Sequence, residues 1–302
     1  MAKIYNLYFN KIVGKLGNAI FQGKKSTNII VSRKFRRRTG RHEIQEFNRY
    51  KYKLAIYHKN KLGTNSKKIY SELVEKDTET WWNELVRRIE KTLIGNEKLV
   101  LFFDELQGNT VYNIIDDGNH GVICGATWKK DSFGLIFDGI DDYILLNKVT
   151  PEEITVCAWV KPYSTDNYHE IVSQFSIFPE GSYFLRIDHP NEGGRFSFFI
   201  FDGQTAEPRA SSVTIPEPYK LYFVAGTYDG KYVKIFVNGE LEDTKEKTKP
   251  IDYTGAGDLV IGSTRWLYNF FKGEILEVRI YDRALSDKEI KYLYETTKKY
   301  IR

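Results

Sequence analysis

From Leu99 onward the chain is a succession of short apolar runs separated by turns, and this pattern constrains the fold more than any other feature. The runs fall at residues 99–103, 121–128, 134–138, 143–146, 154–161, 170–174, 182–188, 195–202, 220–227, 232–237, 258–262 and 274–281. They are rich in Val, Ile, Phe and Tyr, which fit a pleated, half-buried surface. Tyr228-Asp229-Gly230-Lys231 and Asn238-Gly239-Glu240 read as hairpin turns. Asn-Gly in particular suits a turn with φ > 0 at both central positions. Many short strands without long helices between them imply an antiparallel sandwich or jelly roll. At the end, Ser286-Asp287-Lys288-Glu289 forms a capping box. It opens a helix over 287–298 with Ile290, Leu293 and Tyr294 on one side.

The first 95 residues have a different texture. They carry 22 Lys/Arg against 8 Asp/Glu, whereas the remainder carries 23 against 32. A split of this size suggests two regions with different roles, here 1–95 and 96–302. Residues 4–35 alternate as a small β-meander or long hairpin, which is too small to be stable unless it docks on something. Residues 42–60 have helical spacing through Ile44, Phe47 and Leu54. Ser66 is expected to cap a short helix reaching 74. Trp81, Leu85, Ile89 and Leu93 define a further helix that stops at Gly95. The fold class is therefore mainly β: an antiparallel β-sandwich jelly roll with a small basic N-terminal α+β domain and a C-terminal helix.

Arg33, Lys34, Arg36, Arg37, Arg38 and Arg41 are the densest basic run, and residues 1–41 hold 11 Lys/Arg and no acid. Such a run is either a solvated loop or a contact for phosphates or acidic side chains, since the guanidinium fork fits both anions. Nothing around it reads bases, so any nucleic-acid contact is expected to be non-specific. The opening MAKIYNLYFNKIVGK lacks the features of a signal peptide, and no run approaches a membrane span. The single Met, few Gln and abundant Lys, Glu, Ile and Tyr lean towards a thermophilic source.

Cys124 and Cys157 both sit in strand patterns and lack C-x-x-C spacing. They read as small apolar residues in a sheet, with a disulfide left open. The five His are scattered, and neither a zinc, a serine-hydrolase nor a phosphate-loop motif is present. A retaining glycosidase needs two carboxyls about 5–5.5 Å apart. Glu240 and Glu242 read as an exposed edge. Glu274 and Glu277, three apart on a strand, are expected on opposite faces. The chain is expected not to be an enzyme.

Residues 99–300 resemble a laminin-G-like, concanavalin A-like jelly-roll domain. The resemblance rests on LVLFFDE at 99–105, GNTV at 108–111, NHGVICGATW at 119–128 and FDGIDDY at 137–143, followed by ITVCAWVKP at 154–162. It continues through VAGTYDG at 224–230, VKIFVNGEL at 233–241 and EILEVRIYDRALSDKEIKYLY at 274–294. Such domains are common in secreted and viral adhesion proteins. Residues 1–95 resemble, loosely, N-terminal parts of uncharacterised phage and archaeal-virus proteins. The resemblance implies a structural calcium, for which Asn113, Asp116, Asp117 and Asn119 are the candidate ligands. The family pattern has an acid where this chain has Asn113 and another where it has Leu276, so the set is incomplete for an ion that wants six to eight oxygens. Asp138, Asp141 and Asp142 are read instead as turn residues.

The functional expectation is a non-enzymatic structural or adhesion protein of a virus particle or similar extracellular assembly. Residues 1–95 would contact other subunits, and the jelly roll would face outward to bind glycans. The alternatives are a host-encoded carbohydrate-binding module and a nucleic-acid-associated protein. Sugar rings stack on aromatic faces while polar side chains bond their hydroxyls. The candidate glycan residues are therefore Trp266 first, with Arg265, Tyr268 and Asn269 beside it, and Tyr163, Asp166 and Tyr168 on a second loop.

Overall fold

The computed structural model describes residues 14–16, 19–21, 42–74, 80–116, 118–174, 182–264 and 268–301. The chain divides into compact units 1–47 and 48–302. In the first, β1 (Gly14–Leu16) pairs antiparallel with β2 (Ala19–Phe21), Lys15 facing Ile20. Helix α1 (His42–Lys59) runs through the division. The boundary at 95/96 drawn from composition is thus a boundary of charge, whereas the contacts divide at 47/48.

The second unit begins with α2 (Thr64–Glu72) and α3 (Trp81–Thr92). The strands follow in order: β3 (Glu97–Leu101), β4 (Thr110–Val111), β5 (Gly121–Cys124), β6 (Thr127–Trp128), β7 (Leu135–Asp138) and β8 (Tyr143–Leu146). Next come β9 (Ile154–Pro162), β10 (His169–Ser173), β11 (Tyr183–Ile187), β12 (Phe196–Ile200), β13 (Ala210–Ser211) and β14 (Tyr222–Tyr228). The last are β15 (Tyr232–Val237), β16 (Glu240–Glu246), β17 (Leu259–Ile261) and β18 (Lys272–Tyr281), then α4 (Asp287–Thr297). Two antiparallel sheets form the sandwich. One has the order β16-β15-β14-β9-β18-β7-β6 with β3 also on β18, and the other β13-β12-β11-β10-β17-β8-β5-β4.

The core lies between the sheets and follows from alternation. On β9, Val156, Ala158 and Val160 face inward, while Cys157 and Trp159 face out. On β11 and β12, Tyr183, Leu185, Ile187, Phe196, Phe198 and Ile200 face inward. Gly226 on β14 has no substitute here, because a Cβ would come within 2.1 Å of the Phe198 ring from the opposite sheet. Asn238 and Gly239 adopt φ of 51° and 84°, as the β15–β16 turn requires.

The outer face of the first sheet is covered by helices. Trp159 stacks on Tyr294 of α4 at 5.5 Å, and its Nε1 donates to Thr297 Oγ1 at 2.7 Å. The capping box of Ser286 and Glu289 is formed. Helix α3 buries Leu85, Ile89 and Arg88. Arg88 donates to Glu277 on β18 at 2.8 Å and to Tyr70 of α2 at 2.9 Å, with its guanidinium 3.8 Å over the Phe102 ring. These ties place α2 and α3 with the sandwich.

Two local expectations are corrected. Ser66 does not cap α2: Gly63 is the N-cap, and Ser66 is buried and donates to the Glu105 carbonyl at 2.9 Å. Glu274 and Glu277 share a face, because a bulge between Ile275 and Glu277 sets them opposite Lys161 and Trp159, two apart on β9. Both cysteines are free, Cys157 buried and Cys124 half-buried. Among the described residues no helix is long and apolar enough to cross a membrane.

Candidate functional site

The outer face of β10, β11 and β12 carries none of the α-helices among the described residues; a 3-10 turn, Pro190–Glu192, lies beside it. The alternation that sends Leu185 and Phe198 inward sends Phe184, Arg186, Ser197 and Phe199 outward. Phe184 stacks on Phe199 at 4.3 Å. The Arg186 guanidinium lies 4.6 Å over Phe199 and 4.5 Å over Tyr168, and Arg209 lies 5.1 Å over Phe199. Aromatic rings and guanidiniums thus interleave across the sheet, each contact worth about 0.5–2 kcal/mol.

Carboxylates hold the two arginines in place. Arg186 Nε donates to Asp188 Oδ1 at 2.7 Å, and Ser197 Oγ donates to the same oxygen at 2.7 Å. Arg209 donates to Glu192 at 2.6 Å and lies 3.6 Å from Asp188. Arg186 is also 3.6 Å from Glu192 and 3.8 Å from Glu170. The Tyr168 hydroxyl donates to Glu192, which with Arg209 holds that carboxyl below its ordinary range despite partial burial. Glu170 is almost fully buried, and burial pushes its carboxyl up to about 7. Two carboxylate oxygens, Glu170 Oε2 and Asp188 Oδ2, have no hydrogen-bond partner.

A depression of about 100 Å³ opens here, lined by Glu170, Phe184, Arg186, Thr264, Tyr268 and Asn269. Asn269 takes a φ of 57°, which Asn tolerates better than most residues, and its carbonyl accepts from the Glu170 amide at 3.0 Å. Tyr268 is 44% exposed. The depression joins an exposed aromatic, a fixed cation and an acceptor without a donor. That set suits a polyol with an apolar face.

Of the seven residues read as glycan candidates, the structure brings three to this region: Tyr268, Asn269 and Tyr168. Arg265 and Trp266 lie outside the described residues, between Thr264 and Tyr268. Tyr163 goes elsewhere: its hydroxyl donates to Glu274 on β18, and its ring stacks on Tyr219 at 5.0 Å. Asp166 is exposed and accepts from Ser164, 3.5 Å from His169 Nε2. Glu170, Arg186, Asp188, Glu192 and Arg209 were missed. The signal for them was present in part: Arg186 and Asp188 sit on the same face of a strand otherwise apolar, a costly placement that calls for a purpose.

The candidate calcium ligands are otherwise engaged. Asn113 Oδ1 accepts from the Val100 and Ile115 amides at 3.0 and 3.4 Å. Asp116 accepts from Gly118, and Asn119 from Asn147. Asp117 lies outside the described residues. The nearby cleft of about 340 Å³ is lined by Lys98 and Lys148 as well as Asp116 and Asn119, a charge pattern poorly suited to a cation. In the Asp138–Asp142 turn, Asp138 Oδ1 accepts from Ile140 and Asp142 Oδ2 from Asp138, as turn chemistry requires. Arg33, Lys34, Arg36, Arg37, Arg38 and Arg41 lie outside the described residues. Glu274 is bound by Lys129, Lys161 and Tyr163, and Glu277 by Arg88 and Arg279.

A family model described as the concanavalin A-like lectin/glucanases superfamily matches residues 138–291. The chain belongs to this superfamily. Among solved structures it is similar to the botulinum neurotoxin serotype D ligand-binding domain in complex with N-acetylneuraminic acid. That match has 17% identity and a TM-score of 0.51, over 66% of this chain and 50% of the other. It is also similar to domain 4 of AbnA, an extracellular arabinanase from Geobacillus stearothermophilus, in complex with arabinotriose. There the identity is 18% and the TM-score 0.52, over 66% of this chain and 98% of that domain. The chain spans about half the length of the neurotoxin binding domains it matches. At these identities the likeness is one of fold. A search of curated proteins returns no match.

Proposed function

We propose that the sandwich is a non-catalytic carbohydrate-binding module whose ligand lies at the Glu170–Tyr268 depression, on the outer side of β10 and β11. The observation that carries this reading is the grouping there of the exposed Tyr268 ring, the Arg186 guanidinium and the unpartnered Glu170 oxygen. The neurotoxin and arabinanase domains of similar fold, each solved with a sugar ligand, support it. So does the engagement of Glu274 and Glu277 in ion pairs, which leaves that acid pair unavailable for hydrolysis. In the fuller reading the basic segment 1–41 tethers the module to a virus particle or comparable assembly, with the sandwich facing outward. Its 11 Lys/Arg without an acid support a polyanionic or acidic anchor.

The test is a glycan array with the full chain, repeated with Tyr268→Ala and Tyr168→Ala. Losing the Tyr268 ring is expected to weaken binding about tenfold, and losing Tyr168, whose face Arg186 occupies, to weaken it by releasing that guanidinium. Binding that survives both substitutions unchanged would move the site elsewhere.

A further inference from the structure

Resting on that reading, we propose that the Glu170–Tyr268 depression selects uncharged sugars, through hydroxyls that donate to Glu170, and discriminates against glycans bearing a carboxylate or sulfate. The argument is a matter of which groups are already spent. An anionic sugar needs a guanidinium or ammonium free to receive it. Arg186 is engaged by Asp188, Glu192 and Glu170, and Arg209 by Glu192, Asp188 and Glu207. Four carboxylates therefore surround two guanidiniums, and an added anion would meet net negative charge. What the site leaves unmatched is acceptor capacity: Asn269 and Arg186 engage the Glu170 carboxylate, yet its Oε2, like Asp188 Oδ2 on the same face, is buried without a donor. A neutral sugar hydroxyl is the complementary partner. Cation–π contact with a cationic ligand is taken up as well, because Arg186 and Arg209 already lie over Tyr168, Phe184 and Phe199.

The same geometry makes recognition depend on pH. The groups facing Glu170 are Arg186 from β11, Asp188 just after it, and Tyr268 with Asn269 from the segment before β18. Further out lie Glu192 and Arg209, and His169 with Asp166 at the start of β10. Burial holds Glu170 up to about 7. A hydroxyl donates more strongly to the ionised form. If the ligand binds that form alone, affinity follows the ionised fraction and falls about tenfold from pH 8 to pH 6.

The experiment is calorimetric titration of the full chain with arabinotriose, cellotriose, mannotriose and sialyllactose at pH 6 and pH 8, with Glu170→Gln alongside. The isosteric amide is checked for folding by its melting transition. The expected result is binding of at least one neutral trisaccharide, no measurable binding of sialyllactose, about tenfold tighter binding at pH 8, and no pH dependence in Glu170→Gln. Sialyllactose bound as tightly as the best neutral sugar would overturn the selectivity and leave the lectin reading standing. Neutral binding with a pH dependence that persists in Glu170→Gln would remove Glu170 from the contact. No binding of any of the four sugars, together with a blank glycan array, would overturn both.

Discussion

The two outer faces of the sandwich carry the same kinds of residue in different settings. On the covered face, Arg88 lies over Phe102 and reaches Glu277, Asp104 and Tyr70, all buried beneath α2 and α3. On the face that carries no α-helix among the described residues, Arg186 lies over Phe199 and Tyr168 and reaches Asp188, Glu192 and Glu170. Every side chain named in the first cluster is buried, and its charges bind one layer of the protein to another. The second sits beside a depression, with Glu192 35% exposed. An arginine–aromatic–carboxylate cluster is therefore not in itself a binding site. The helical layer over the first is what distinguishes the two.

The largest effect is expected on the covered side. Arg88→Met leaves Glu277 without its helix partner and Asp104 short of a donor, and should cost about 3–5 kcal/mol in urea unfolding. Sugar binding by the fraction still folded should be unchanged. A loss below about 1 kcal/mol would mean the helical layer is not held through this residue. On the open side, Arg186→Met should reverse the pattern. Ser197 and Arg209 still serve Asp188, so the stability loss should be smaller, about 1–3 kcal/mol. Sugar binding should fall more than tenfold, and the pair of variants together tests whether the two faces differ in role.

A third effect separates the faces by pH. In the folded chain Glu170 titrates near 7, above its ordinary 4.5, so the folded state holds this proton more tightly than the unfolded one. Its contribution to stability is fully present below about 4.5 and is lost as pH rises to about 7. Glu170→Gln should therefore raise the melting temperature at pH 8, by the equivalent of roughly 2–3 kcal/mol, and change it little at pH 4. An equal shift at both pH values would contradict the buried, ionising carboxyl. Stability given up at pH 8 is what a carboxylate kept for a ligand is expected to show.

The smallest effect concerns the helix over the covered face. Ser286→Ala removes the hydroxyl that accepts from Glu289 and should cost about 1 kcal/mol. Its thermal melt should shift without any change in sugar binding.

Much of the fold was legible in the sequence, because strand alternation and turn chemistry are local. The Asn238-Gly239 turn, the Ser286 capping box and the strands at 154–161 and 195–202 followed from local pattern alone. The site was legible only in part. Tyr168, Tyr268 and Asn269 could be found because loop aromatics beside polar groups stand out. Glu170 and Arg186 could not, since their meeting depends on β10 and β11 pairing with a register shift between Glu170 and Val172. Tyr163 was grouped with Tyr168 by sequence proximity, yet the chain crosses between sheets there and sends Tyr163 to Glu274. The bulge at Ile275–Glu277 likewise inverted the expected facing of Glu274 and Glu277, a one-residue event that periodicity does not encode.

The most direct test of the central claim is a crystal structure of the full chain with a neutral oligosaccharide identified by the array. The account predicts a sugar ring against Tyr268 with a hydroxyl within hydrogen-bond distance of Glu170 Oε2. A ring seated instead at the Tyr163–Tyr219 stack, with the Glu170–Tyr268 depression free of sugar, would contradict it.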